Sequence, residues 1–278
     1  MDTLKNQIDQ LFEEQLNGWT LAQNNYRALK YVEEKALNVN GRQYIVQFNP
    51  ERITSSAAKT DAKSISERPC FLCQANRPAE QKGIPFKDGY IILVNPYPIF
   101  SRHLTIPSVE HTPQRIVSRF GDMLDLAFQL DNFIIFYNGP KCGASAPDHF
   151  HFQAGSKGFL PVENDRNWNA IRIESESKQE MLQRFRQIYD ALPLQSNNSE
   201  PMMNILTWYE NPIWTTYVFP RKKHRPDCYW AEGEDNMLIS LAAVDMGGVL
   251  ITPLKKDFER ITAKNIADIL DEIGWSQC

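Results

Sequence analysis

The chain has no run of about 20 apolar residues, the length a helix needs to cross a bilayer, so no membrane span is expected. Residues 1 to 15 are acidic and amphipathic, without a basic segment leading into an apolar one, which argues against a secretory signal. Positive charge is also short: 30 Lys and Arg against 34 Asp and Glu give a net charge of -4. That balance excludes a general nucleic-acid binder, which is basic over a whole face, but leaves room for a small anionic ligand in a locally basic pocket. Five cysteines in 278 residues make no disulfide framework, and the expected setting is the reducing cytoplasm. Histidine is equally scarce, at five residues, so two histidines close together carry information.

What remains is ordinary globular composition, 42% hydrophobic and 23% charged, enough for one large domain or two small ones. Apolar spacing predicts helices over 4–17 and 22–36, then a short strand over 44–48. The stretch 54–66 is rich in Ser, Ala, Thr and Lys and reads as a mobile loop. Strands are expected at 90–94, 103–106, 132–137 and 148–154, with a helix over 113–130. After a helix at 178–192 and a polar linker at 195–200, strands are expected at 203–208, 214–220, 237–241 and 249–251. A helix at 263–273 closes the chain. The order strand, strand, helix, strand, strand suggests an α+β fold, an antiparallel sheet carrying its helices on one face. The second half reads as a weaker echo of the first.

Chemistry concentrates in residues 137–153. In a strand His149, His151 and Gln153 share one face, about 6.5 to 7 Å apart, while Phe150 and Phe152 face the core. A histidine attacks phosphorus well when its second ring nitrogen is held by an acceptor, which fixes the tautomer. An amide such as Gln153 donates to a phosphoryl oxygen without supplying a proton to the leaving group. Just upstream, Gly143, Ala144 and Ser145 offer flexible backbone and a hydroxyl to cradle phosphate oxygens. Lys141 has the reach for a phosphate, though a loop lysine is more often simply exposed. His111 reads as a helix-entry residue, and the run 221–225 as solvated surface.

Cys70 and Cys73 form a second signal with three readings: a zinc half-site, a redox dithiol or two buried structural cysteines. Zinc needs four ligands and there is no second cysteine pair, so histidines would complete it, with His103 and His149 on strands of the same sheet.

Together these residues resemble the transferase branch of the histidine-triad superfamily, over about 45–155. That branch holds the galactose-1-phosphate uridylyltransferases, the diadenosine tetraphosphate phosphorylases and the GDP-L-galactose phosphorylases. Pro69-Cys70-Phe71-Leu72-Cys73 is similar to the zinc-binding start of the uridylyltransferases, Phe100-Ser101-Arg102-His103 to their third ligand motif, and His149 to the fourth. By the same resemblance His151 is the nucleophile, and Gln153 the glutamine replacing the third histidine of the hydrolases. Asn95 then contacts the nucleoside, Ser145 a phosphate, and Arg52 lies near the phosphates. The run 149–154 and the segment 243–253 are nearer the GDP-L-galactose phosphorylases. Two positions depart from the pattern: Asp148 stands between Pro147 and His149, and Phe150 replaces a proline.

The resemblance implies a histidine-triad-like (HIT-like) fold of two halves, the second degenerate: an N-terminal helical arm over 1–40, a catalytic half over 41–175 and the second half over 176–278. It implies a nucleotidyltransferase or phosphorylase, with catalytic His151 and Gln153 and with Arg52, Asn95, Lys141, Gly143 and Ser145 as nucleotide contacts. Zn2+ is expected on Cys70, Cys73, His103 and His149. The expected partner is a nucleotide or nucleotide sugar, neither nucleic acid nor membrane, and two copies are expected to pair. The alternatives are a hydrolase using water as acceptor and a non-catalytic zinc- or nucleotide-binding module.

Overall fold

A computed structural model describes residues 3–57, 60–196 and 198–274. The chain begins with helices α1 (Leu4–Gly18) and α2 (Thr20–Ala28) and one 3-10 turn, Leu29–Tyr31. The helix expected to reach residue 36 therefore stops early, because the next seven residues are claimed by a hairpin. Strands β1 (Glu33–Val39) and β2 (Arg42–Phe48) pair antiparallel from Glu33↔Phe48 to Val39↔Arg42. Their turn is Asn40-Gly41, with φ of 50° and 83°. A two-residue hairpin of this kind needs positive φ at both positions, which Asn and Gly accept.

Short helices α3 (Ile53–Ser56) and α4 (Ala62–Glu67) occupy the described parts of the expected loop, and Asp61 caps α4 through the Ser64 N–H at 3.0 Å. Strands β3 (Gly83–Phe86), β4 (Tyr90–Val94) and β5 (His103–Pro107) follow. Helix α5 is Phe120–Gln129, shorter than expected, since residues 113–116 spend their polar groups elsewhere: the Gln114 amide and the Ile116 N–H both bond across to other elements. Strands β6 (Phe133–Asn138), β7 (His151–Ser156) and β8 (Ile171–Ser175) lead to α6 (Lys178–Ala191). Then come β9 (Met203–Glu210), β10 (Ile213–Pro220), α7 (Ala243–Met246), β11 (Val249–Thr252), α8 (Lys255–Arg260) and α9 (Ala263–Ile273). The strand expected at 237–241 is irregular.

Eight strands form one sheet in the order β3-β4-β5-β7-β6-β9-β10-β8, with every pair antiparallel. The α+β class is therefore as expected. The sheet runs on from β6 to β9 without a break, and β8 joins the far edge beside β10. A second sheet, β1-β2-β11, has β11 parallel to β2.

Strand periodicity places two cores on the two faces of the large sheet. Phe133, Ile135 and Tyr137 of β6, with Phe150 and Phe152, meet α1, α5 and α6 through Leu11, Phe120, Met123 and Phe185. Ile134 and Phe136, with Leu206, Trp208 and Tyr217, meet the small sheet and α9 through Val46, Leu250, Ile266 and Ile269. The expected helical layer is thus one of two. A strand covered on both faces loses the apolar-polar alternation, and β6 is buried at every position.

Candidate active site

His151 opens β7, where β6 and β7 part company. The last ladder pair is Phe136↔Gln153, and beyond it the wholly buried Gln114 amide bridges the two strands. Its Nε2 donates to Asn138 O and His151 O, both at 3.0 Å, and its Oε1 accepts the His151 N–H at 2.8 Å. The ring is fixed from the other side: Nδ1 lies 2.9 Å from His149 O. A carbonyl only accepts, so Nδ1 carries the proton and Nε2 keeps its lone pair. Burial, with the His149 ring nearby adding in the same direction, pushes the imidazolium down to about 4, partly offset by the bond to His149 O. At neutral pH the ring is uncharged, with Nε2 unprotonated.

Gln153 lies one ladder step inward on the same face. His103 on β5 sets its orientation. The Ile99 N–H donates to His103 Nδ1 at 3.2 Å, so Nε2 bears the proton and donates to Gln153 Oε1 at 3.0 Å. Asn95 Nδ2 approaches the same oxygen at 3.5 Å while donating to Thr105 Oγ1 at 2.8 Å. With its oxygen engaged, the Gln153 amide has its NH2 group to offer a ligand. Burial, reinforced by Arg52, lowers His103 to about 3 and keeps it neutral.

His103 is therefore not beside the cysteines. The groups that gather are Cys70, Cys73, His149 and His111, whose ligand atoms all lie within 4.8 Å of one another. Cys70 Sγ is 3.3 Å and Cys73 Sγ 3.5 Å from His149 Nδ1, and Cys73 Sγ is 3.1 Å from His111 Nδ1. A tetrahedral zinc with Zn–S near ~2.3 Å and Zn–N near ~2.0 Å sets sulfur and nitrogen about 3.5 Å apart, so the donor set fits that ion. Each ring has its outer nitrogen occupied: His149 Nε2 donates to Ser108 O at 2.8 Å, and His111 Nε2 lies 3.5 Å from Asp148 Oδ2. Such outer partners orient metal-binding imidazoles. Burial alone would raise Cys70, but the bond to His149 and the Leu72 and Cys73 N–H groups bring its thiol down to about 6. The half-exposed His111, read from sequence as a helix-entry residue, takes the corner expected of His103. Pro107 ends β5, and the turn after it carries residue 111 back over the cysteine loop.

A cavity of about 680 Å³ opens over this surface, lined by His151, Gln153, Asn95, Ser145, Gly143 and Arg52 among others. Its size falls in the range of small-molecule sites, about 300 to 1,000 Å³. Lys141 is exposed and does not line it. Gly143 has φ of 93°, and a Cβ there would stand 2.6 Å from Ala242 Cβ. The loop at Gly143 is thus pressed against residues 241 and 242. Ser240, Ala242, Val244 and Asp245 from that half also line the cavity. Sequence reasoning missed Gln114, Arg68, Asn138 and Asp245, since a lone amide or charge has no spacing signature. Arg221, expected in solvated surface, is buried: Nη1 donates to Asn204 Oδ1 at 2.6 Å and to Leu241 O at 3.1 Å.

Residues 11–156 match the family profile described as Domain of unknown function (DUF4922). No curated protein matches the sequence. Among solved structures the chain is similar to yeast Ap4A phosphorylase Apa2, with TM-score 0.61 and 16% identity, covering 94% of this chain and 98% of that one. The same yeast enzyme in complex with AMP gives TM-score 0.57 and 16% identity over 95% and 98%. In complex with Ap4A it gives 0.56 and 15% over 94% and 98%. At this identity the likeness is one of fold, and it spans nearly the whole chain, both halves included.

Proposed function

The chain belongs to the DUF4922 family, and we propose that it is a nucleotidyltransferase of the phosphorylase type, working through a nucleotidyl group carried on His151. The donor is a dinucleoside polyphosphate or a nucleoside diphosphate sugar, and the acceptor is phosphate or a sugar phosphate. The observation that carries this reading is the state of His151: buried, neutral, with Nδ1 tied to His149 O and Nε2 left as the nucleophile beside Gln153 in a cavity of nucleotide size. The fold likeness to an Ap4A phosphorylase structure holding Ap4A or AMP supports the dinucleoside choice.

In the first step His151 Nε2 bonds to the α-phosphorus as the bond to the leaving phosphate oxygen breaks. The positive charge on the ring is spread toward His149 O through Nδ1–H. The Gln153 NH2 group, turned outward by His103, donates to a non-bridging phosphoryl oxygen. Gly143 and Ser145 supply backbone and hydroxyl contacts to the phosphates, Asn95 stands at the nucleoside end and Arg52 adds positive charge. In the second step an acceptor oxygen displaces Nε2 from the same phosphorus. Gln153 has no proton to give a leaving group, which favours transfer over hydrolysis.

Cys70, Cys73, His111 and His149 would hold a zinc ion. What a bound ion supplies here is rigidity, joining the loop at residues 70–73 to the segment that begins β7. A reducing, cytoplasmic setting keeps both thiols available. Pairing of two copies, implied by the resemblance, is read directly by analytical ultracentrifugation.

The test is turnover on a panel of dinucleoside polyphosphates and nucleotide sugars, with and without inorganic phosphate. Phosphate-dependent release of nucleotide is expected for at least one donor. Turnover indifferent to phosphate assigns a hydrolase instead, and zinc content with no turnover on any donor assigns a binding module.

A further inference from the structure

Arg68 sits immediately before Pro69 and Cys70 and lines the cavity together with His151 and Ser145. Its guanidinium is anchored at one corner only: Nη2 donates to Asp148 Oδ1 at 2.7 Å and lies 3.5 Å from Ser145 O. Nη1 is buried and has no hydrogen-bond partner among the described residues. The ring of Phe71 packs against the guanidinium, 5.2 Å from its carbon. A buried guanidinium N–H without an acceptor costs the free energy of a lost charged hydrogen bond, so this group gains from an anionic partner. The Asp148 carboxylate that holds Arg68 also takes His111 on its other oxygen, so the residue that breaks the family pattern has two partners here.

We infer that Arg68 is a phosphate-binding residue of the cavity, gripping the phosphate that leaves in the first step and the phosphate that enters in the second. The inference rests on the reading of His151 as a nucleophile. Both displacements occur in line at one phosphorus, so the incoming oxygen must approach from the side the leaving oxygen vacated, opposite Nε2. One cationic group therefore serves both anions. In the first step the Nε2–P bond forms and the P–O bond to the leaving phosphate breaks. In the second a phosphate oxygen bonds to phosphorus and the Nε2–P bond breaks. Asp148 acts as a positioning residue, keeping the guanidinium at the wall. Arginine suits this role because its planar fork matches phosphate oxygens.

The experiment separates the half-reactions. Purified protein is labelled with an α-labelled donor, freed of excess donor, and discharged over a series of inorganic phosphate concentrations. Loss of one charged hydrogen bond should raise the half-saturating phosphate concentration about tenfold to a hundredfold in Arg68→Gln. Arg68→Lys should recover part of that shift, and both variants should retain the wild-type metal content, which shows that the cysteine loop is intact. A half-saturating concentration within twofold of wild type in both variants overturns the inference while leaving the nucleophile in place. Failure of the wild-type protein to take any label overturns the nucleophile and this inference together. If Arg68→Gln does not fold, Arg68→Lys decides alone, with a shift expected and wild-type behaviour contradicting.

Discussion

Two histidines eight residues apart in the sequence are held differently, and their hydrogen bonds show how. His103 takes an N–H from Ile99 and gives one to Gln153, so both ring nitrogens are spoken for inside the sheet. His111 presents Nδ1 to Cys73 and its other nitrogen to Asp148. Replacing His103 by Phe should leave bound metal at the wild-type level, while kcat falls about tenfold or more as Gln153 loses its orientation. His111→Ala should lower metal affinity by about tenfold or more, since a ligand contributes at least as much as its outer partners. Metal analysis by mass spectrometry on the two variants checks both, and metal loss in His103→Phe would restore His103 as a ligand. At this scale the sequence was partly legible. The alternation of His151 and Gln153 put both side chains on the cavity face of β7, because strand geometry is local. The grouping of His111 with the cysteines was not legible, because His103 and His111 are separated by a turn whose direction depends on packing far away in the chain.

At the scale of elements, the site depends on where β6 and β7 stop pairing, while β5 stays paired with β7 as far as His151. Gln114 replaces the missing rungs at the His151 end, and Gly155 lets Phe100 lie against β7 at the other. A Cβ on Gly155 would fall 2.4 Å from the Phe100 ring, which itself stands edge-on to His103 at 5.4 Å. Gly155→Ala should therefore destabilise the fold by about 1 to 3 kcal/mol and lower activity through His103. Urea unfolding alongside turnover measures both, and a variant as stable as wild type would show that the ring has room to move. Strands β2, β4, β5, β6, β7, β9, β10 and β11 and the helices α1, α6 and α9 were readable from their apolar pattern, whereas the short edge strands β3 and β8 were not. The β1 strand was not, since its solvent-facing charges mimic a helix, although the Asn40-Gly41 pair carried the hairpin signal. The 237–241 segment read as a strand because four of its five residues are apolar, but Ile239 and Leu241 are buried without joining either sheet, and the Leu238 N–H bonds Asp257 at 2.8 Å.

For the whole molecule, Glu200 joins the parts. It leaves the linker after α6, accepts the Ile116 N–H at 2.9 Å and takes the Tyr137 hydroxyl proton bond beneath the sheet. Burial raises its carboxyl from 4.5 to about 7, with the bonds from Tyr137 and Ile116 opposing. The folded chain thus holds this proton more tightly than the unfolded one. The resulting stabilisation is complete below about pH 4.5 and is lost as pH rises to about 7. Relative to Glu200→Gln, the wild-type thermal midpoint should fall between about pH 5 and about pH 7.5, and parallel curves would contradict a buried protonated carboxyl.

The second half also reaches the cavity through Ser240, Ala242 and Asp245, contacts that no local pattern announces, since they arise only when two distant stretches close on Gly143. All of these parts bear on the bond proposed for His151. The most direct measurement is peptide mapping of protein incubated with an α-labelled dinucleoside polyphosphate. An acid-labile, alkali-stable nucleotidyl group on the peptide bearing His151, absent from His151→Gly, is the predicted result. Label that persists in His151→Gly, or that maps to another residue, would contradict it.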